Sequence, residues 1–296
     1  MTHVVTLIAR PGALDASAVA QARSLLRNPG AAQWLAAATA ADIAFTAVDD
    51  SLRALADDIR TTLAAPIDVI VQPAANRRKK LFLADMDSTM IEQECIDELA
   101  DYAGLKAHIA AITERAMRGE IAFEPALRER VALLKGLPTA LVAEIIDKRI
   151  TLTPGGLTLI ATMRKNGSFT CLVSGGFTLF VERIAAMLGF DDSRSNLLKL
   201  DPDGHLNGLV AEPIFGRDHK RATLIELRNR LGLTPTDTLA IGDGANDLDM
   251  IAEAGLGIAY HAKPKVAAAA QARIEHGDLT AVLYAQGYSQ DEFVAR

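Results

Sequence analysis

The stretch LFLADMDST (81–89) decides the fold. Four apolar residues run straight into a polar turn, and two carboxylates, Asp85 and Asp87, stand two positions apart where the run ends. The same texture recurs at FTCLVS (169–174), TLAIGD (238–243) and LGIAY (256–260). Short continuous apolar runs separated by helical spacing predict strands buried on both faces of a parallel sheet, an α/β fold. Open sheets of that kind gather functional residues at the carboxyl ends of their strands. Between the first two runs lies an insert, about 97–152, with amphipathic stretches such as CIDELADYAGL and TALVAEIIDKRI. It is too long for a simple crossover and predicts a small helical cap. LLKLDPDGHLNGLVAEPI (197–214) alternates around Asp-Gly and predicts a β-hairpin.

Upstream, the first 75 residues have a different rhythm. VVTLIA (4–9) and IDVIVQP (67–73) read as strands, and DASAVAQARSLL (15–26) as a helix with Asp15 as its N-cap. AAATAADIAFTAV (36–48) holds one strand and SLRALADDIRTTL (51–63) a second helix. The order β-α-β-α-β, with room for one more strand, predicts a small α+β ferredoxin-like unit over 1–75, ahead of a larger domain over 76–296. The polar run AANRRKK (74–80) marks the boundary and reads as a solvated basic link.

Composition narrows the classes. The chain has 296 residues, half of them hydrophobic and 23% charged, which suffices for a sizeable core and excludes global disorder. A net charge of −6 argues against a general nucleic-acid binder. The longest apolar stretch, AAQWLAAATAADIAF (31–45), is interrupted by Asp42 and falls short of a membrane span of about 20 residues. The N-terminus lacks the basic start of a signal peptide, and Cys95 and Cys171, without metal spacing, read as reduced core residues. A cytoplasmic protein with no membrane or nucleic-acid partner is expected.

Three strand ends carry the chemistry. Asp85 and Asp87 can serve as nucleophile and general acid–base if a cation or a shared proton relieves their repulsion. Read alone, DMD is equally an Asp-rich turn. In GDGANDLDM (242–250), Asp243 and Asp247 offer hard oxygen ligands suited to Mg²⁺, and Asn246 offers an amide. Asp247 reads as a helix cap and Asp243, ending a buried strand, as the ligand. SGG (174–176) presents a hydroxyl and backbone N–H groups where a helix begins, which suits phosphate. Lys220, near the start of an amphipathic helix, would supply the fixed cation, although any one lysine is commonly a surface residue. The absence of Walker A spacing argues against a P-loop enzyme, and the six histidines show no metal grouping.

In order and spacing, DMDST, SGG, Lys220 and GDGANDLDM resemble the four motifs of the haloacid dehalogenase-like phosphatases. DMDSTMIEQECIDELA, FEPALRERVALLKGLP, TPGG and VSGGFT further resemble the phosphoserine phosphatase family, over about 81–275. The N-terminal part is similar in layout to small ACT-type amino-acid-binding modules. The resemblance implies a Rossmann-like core in which Asp85 takes the phosphoryl group and Asp87 protonates the leaving oxygen and then activates water. It implies Mg²⁺ on Asp85, the carbonyl of Asp87, and Asp243, with phosphate on Ser174, Gly175 and Lys220, assisted by Asn246. Glu94 and Arg130 would clamp the ammonium and carboxylate of O-phospho-L-serine, and Phe123 and Met117 would line the pocket. Without that likeness, Glu94 and Arg130 read as solvated charges. The implied activity is the last step of serine biosynthesis, with an effector-binding, dimerising N-terminal module. Phosphothreonine or phosphohomoserine hydrolysis is the rival substrate reading, and an amino-acid-sensing regulatory protein the rival class.

Overall fold

The structure is a computed structural model and describes residues 2–47, 52–117 and 120–295. The chain opens with β1 (His3–Ala9), α1 (Ala16–Ser24), β2 (Ala32–Ala36), β3 (Ala40–Phe45), α2 (Leu52–Leu63) and β4 (Ile67–Pro73). Its antiparallel sheet has the order β2-β3-β1-β4. Asp15 caps α1 as expected, its side chain accepting from Ala18 N at 2.7 Å. The segment expected to hold one strand contributes to two, β2 and β3, joined by a tight turn in which Ala38 takes a φ of 50°. The expected start of α2 at Ser51 and the end of the strand segment at Val48 lie outside the described residues.

Alternate residues of β1 enter two different cores. Val5, Leu7 and Ala9 pack under the two helices, with Ala22 and Ile59, whereas Ile8 joins Ile70 in the main core of the molecule. This sandwiching explains why VVTLIA is an unbroken apolar run in an antiparallel strand, where one wet face would have imposed alternation.

The larger body is a six-stranded parallel sheet in the order β12-β11-β10-β5-β6-β7. Its strands are β5 (Leu81–Ala84), β6 (Phe169–Phe177), β7 (Asp192–Asn196), β10 (Thr238–Gly242), β11 (Leu256–Tyr260) and β12 (Ala272–Ile274). Helices α7 (Gly156–Lys165), α8 (Thr178–Leu188), α9 (Arg217–Arg230), α10 (Leu248–Glu253), α11 (Pro264–Ala269) and α12 (Ala281–Ala285) pack around it. After β5 the chain leaves for four helices, α3 (Cys95–Tyr102), α4 (Lys106–Met117), α5 (Phe123–Leu133) and α6 (Ala140–Arg149), before returning. The two passages of that insert touch as an antiparallel bridge, Ile91 with Leu152, flanked by Glu92 N to Thr151 O and Thr153 N to Met90 O, each 3.0 Å. The expected hairpin is present as β8 (Leu198–Leu200) and β9 (Leu206–Val210). It buttresses the insert, with Leu206 exchanging backbone bonds with Gly136 and Leu137 at 2.7 and 2.8 Å.

The basic run at 74–80 is not a solvated link. Arg77 grips Asp42 with two N–H groups, at 2.6 and 3.1 Å, and donates to Thr6 Oγ1 and to the carbonyl of Ala285. Lys79 is buried and donates to Thr236 O, and burial pulls its ammonium down to about 8. Arg78 pairs with Glu292 and covers the Tyr288 ring. The partners of this run come from both ends of the chain, and the cations are spent as a joint. Arg77→Ala should therefore strand the Asp42 carboxylate and lower stability by about 3 kcal/mol. Thermal unfolding would show this as a drop in midpoint, and an unchanged midpoint would refute the joint.

Candidate active site

Adjacent strands β10, β5 and β6 deliver their carboxyl ends side by side. From β5 the strand order runs through β6 to β7 and then resumes on the other side with β10, so a crevice opens beside β5. Beyond β5 the backbone turns sharply: Asp87 is extended, Ser88 takes a φ of 54°, and Ile91 N returns to Met86 O at 3.1 Å.

At the base of the crevice lies a buried charge cluster. Lys220, from the first turn of α9, is fully buried and donates to Asp85 Oδ1 at 2.6 Å and Asp247 Oδ1 at 2.7 Å. Burial alone would lower its pKa, but Asp247 and Asp85 outweigh that and hold the ammonium above its usual value. Burial and the nearby Asp247 charge push Asp85 well up, against the pull of Lys220. Oxygens of Asp85, Asp243 and Asp247 lie within 4.8 Å of one another. One ammonium cannot balance so many carboxylates, and an all-oxygen acidic set fits a hard divalent cation.

Asp247 does not cap the next helix, α10, as expected, because its carboxylate makes no bond to that helix and turns back to the preceding turn instead. Its Oδ2 accepts from Gly244 N at 3.1 Å, while Oδ1 holds Lys220. Gly242 makes this possible, because a methyl group there would overlap the Asp247 carboxylate. The pair of glycines in GDGAND was the available signal for this buried acid.

Asp87 stands on the β6 side. Its Oδ1 accepts from Cys95 N at 2.9 Å and its Oδ2 from Ser174 Oγ at 3.2 Å. Burial raises its pKa, and the Cys95 N–H, Lys220 and the Ser174 hydroxyl moderate the rise. Ser174 Oγ also accepts from Gly176 N at 2.9 Å, which curls the SGG turn around it. Asn196, nearly fully buried, fastens that turn by donating to Gly175 O and Phe215 O, both at 2.9 Å, and accepting from Phe215 N. Nothing in DSRSNLL marked Asn196 in advance, because its partners come from two distant loops.

These groups open into a cavity of about 160 Å³ shared with the helical insert. Glu94, Phe123 and Arg130 line it opposite Asp85, Asp87, Ser174, Gly175, Asp243 and Asn246. Glu94 is open to the cavity and accepts from Ser88 Oγ at 2.7 Å. Burial within the protein envelope, with the Asp87 charge added, pushes its carboxyl up to about 7. Arg130 makes only long bonds to Ala126 O and Thr113 Oγ1, 3.3 and 3.4 Å, and pairs with no carboxylate among the described residues. Lys263, beyond the end of β11, also reaches the cavity; burial and the Asp247 charge push the Asp243 carboxyl up, and Lys263 only moderates that rise. Lys263 was missed in the sequence, although it follows a strand at the same sheet edge. The side chain of Met117 lies outside the described residues.

The chain matches the haloacid dehalogenase-like hydrolase family over residues 79–255. A phosphoserine phosphatase of Polaromonas sp. is 48% identical over 209 residues, covering 69% of this chain and 88% of its own length. The unliganded structure of a probable phosphoserine phosphatase from Vibrio cholerae is 30% identical, with a TM-score of 0.76 over 98% of this chain and 88% of that one. A phospho-aspartyl intermediate analogue of phosphoserine phosphatase is 41% identical, with a TM-score of 0.64 over 70% of this chain and 98% of that one. On these likenesses and on the motifs gathered at its sheet edge, the chain belongs to the haloacid dehalogenase-like hydrolases, in their phosphoserine phosphatase family.

Proposed function

We propose that the protein is a Mg²⁺-dependent phosphatase that hydrolyses O-phospho-L-serine to L-serine and phosphate, the closing reaction of serine biosynthesis. The observation that carries this reading is one small cavity lined by Asp85, Asp87, Asp243 and Ser174, with the Lys220 ammonium bonded to Asp85 from behind, and by Glu94 and Arg130 of the helical insert. The two sets of residues suit the two ends of a phosphorylated zwitterion.

In this mechanism a carboxylate oxygen of Asp85 attacks phosphorus while the bond from phosphorus to the seryl oxygen breaks. The Asp87 carboxyl gives its proton to that oxygen, releasing serine and leaving an aspartyl-phosphate. Asp87, now a carboxylate, takes a proton from water as the water oxygen attacks phosphorus; the bond to Asp85 breaks and phosphate leaves. Phosphoryl transfer is mostly positioning and charge neutralisation. Lys220 has three N–H donors, two of them spent on Asp85 and Asp247, and the third is free for a phosphate oxygen. Ser174, the Gly175 N–H and Asn246 would take the others. Asp85, Asp243, Asp247 and the backbone carbonyl of Asp87 would hold Mg²⁺, which neutralises charge on the phosphoryl oxygens when bound. Residues 1–75 form, in the same reading, a module that pairs two copies or takes an amino-acid effector in a cytoplasmic enzyme. Support for pairing is the free edge of β2, where Trp34 is 42% exposed.

Three outcomes follow. Asp85→Asn should abolish phosphoserine turnover, and Asp87→Asn should lower kcat by about 10²–10⁴-fold; robust turnover by Asp85→Asn would overturn the nucleophile. Arg130→Ala should cost about tenfold or more in kcat/KM for phosphoserine, from a lost charge-assisted bond, while sparing an aryl phosphate. Equal losses on both substrates would remove Arg130 from recognition. Chelation should stop turnover and Mg²⁺ restore it, whereas Ca²⁺, with its looser and larger coordination shell, should inhibit.

A further inference from the structure

We propose that Ser88 is a positioning residue for substrate selectivity, whose hydroxyl aims the Glu94 carboxylate at the ammonium group of the substrate. The proposal rests on the phosphoserine reading and deepens it, because it names a residue on which recognition of the amino end depends. Ser88 itself does not line the catalytic cavity, and its effect runs through Glu94, which does.

Ser88 holds a backbone conformation that its side chain does not favour. Its φ is 54° and its ψ 10°, in the left-handed region that glycine enters freely and that strains a residue with a Cβ. Strain of this kind persists where the surrounding structure makes use of it. Ser88 Oγ donates to Glu94 Oε1 at 2.7 Å, and to no other group among the described residues. The turn around it is tied at three points that do not involve this hydroxyl. Ser88 N donates to Gln93 O at 3.2 Å, Ile91 N to Met86 O at 3.1 Å, and Cys95 N to Asp87 Oδ1 at 2.9 Å. A glycine in place of Ser88 would keep all three bonds and relieve the strain. What it would lose is the bond to Glu94.

The Glu94 carboxylate needs such a hold. Glu94 stands at the N-cap of α3, where the free N–H groups and the dipole of a first helical turn attract acidic side chains. Its side chain makes no bond to α3 all the same. Ser88 anchors Oε1, and Oε2 has no hydrogen-bond partner among the described residues, so one oxygen is fixed and the other is open to a ligand. Burial and the Asp87 charge push the Glu94 carboxyl up, and the Ser88 hydroxyl pulls it down against them, toward the ionised form that an ammonium requires.

Steady-state kinetics of the full chain, with Mg²⁺ supplied, test the assignment on two substrates. One is phosphoserine, and the other is the phosphate monoester of β-hydroxypropionate, which is phosphoserine without its amino group. The variants are Ser88→Gly, Glu94→Gln and the two combined. The unaltered protein should prefer phosphoserine, and Ser88→Gly should lower that preference, as a ratio of kcat/KM, by about tenfold. The loss should appear in KM more than in kcat, with a thermal midpoint no lower than before. Within Glu94→Gln, adding Ser88→Gly should leave the ratio unchanged. A lowered midpoint with equal losses on both substrates would mark a merely structural serine and overturn the proposal. An undiminished preference in Ser88→Gly would overturn it while leaving the phosphoserine reading intact. A further fall in the combined variant would overturn the route through Glu94. An unaltered protein with no preference for phosphoserine would overturn that reading and this proposal together.

Discussion

The contact on which the rest of the structure depends is the one between the Lys220 ammonium and the carboxylates of Asp85 and Asp247. These groups are buried at the meeting point of β5, β10 and α9, and a buried carboxylate without a partner costs several kcal/mol. Three elements distant in the chain are thereby held in one relative position. Asp85 is delivered by a strand, Asp247 by a glycine-cleared turn, and Lys220 by the first turn of a helix whose apolar side packs beneath the sheet through Leu224 and Leu227. The same contact leaves the cluster short of positive charge. A site that is stable but electrically unbalanced is prepared to take up a cation.

Much of the core was legible because parallel strands buried on both faces write themselves as unbroken apolar runs. LFLAD, TLAIGD and LGIAY could hardly be anything else, and each polar exit lies at the sheet edge. Polar residues whose partners come from far away were harder to read. Asp247 reads locally as a cap of α10, yet its carboxylate makes no bond to that helix, and the role it does have depends on Lys220, 27 positions earlier. AANRRKK reads as a solvated tether because nothing nearby could neutralise it, yet Asp42, Glu292 and the carbonyl of Ala285 do so from remote positions. The two strands in 32–45 were merged because their turn is made of alanine and threonine, without the glycine or asparagine that usually announces one.

The helical insert and the β8–β9 hairpin illustrate how specificity is added to a generic sheet edge. In the proposed mechanism the sheet supplies a nucleophile, an acid and a phosphate cradle, and these make no choice among small phosphomonoesters. In the same proposal choice comes from α5, which brings Phe123 and Arg130 to the cavity, and the hairpin fixes the turn that follows α5 through its backbone bonds to Gly136 and Leu137. A residue on the hairpin can thus affect selectivity without approaching the substrate.

The module–core joint has a consequence for how the protein is made. Gln72 donates to the carbonyl of Ala285, a partner 213 positions later, and Asp68 and Arg77 reach equally late segments. During synthesis the back face of the first sheet, with Ile8 and Ile70, emerges long before the residues that cover it. At about 5–20 residues per second, that interval is roughly 10–40 seconds. For that time the nascent chain carries an uncovered apolar sheet and a carboxylate waiting for its backbone donors. The period of greatest exposure to misassembly therefore falls before α12 has left the ribosome.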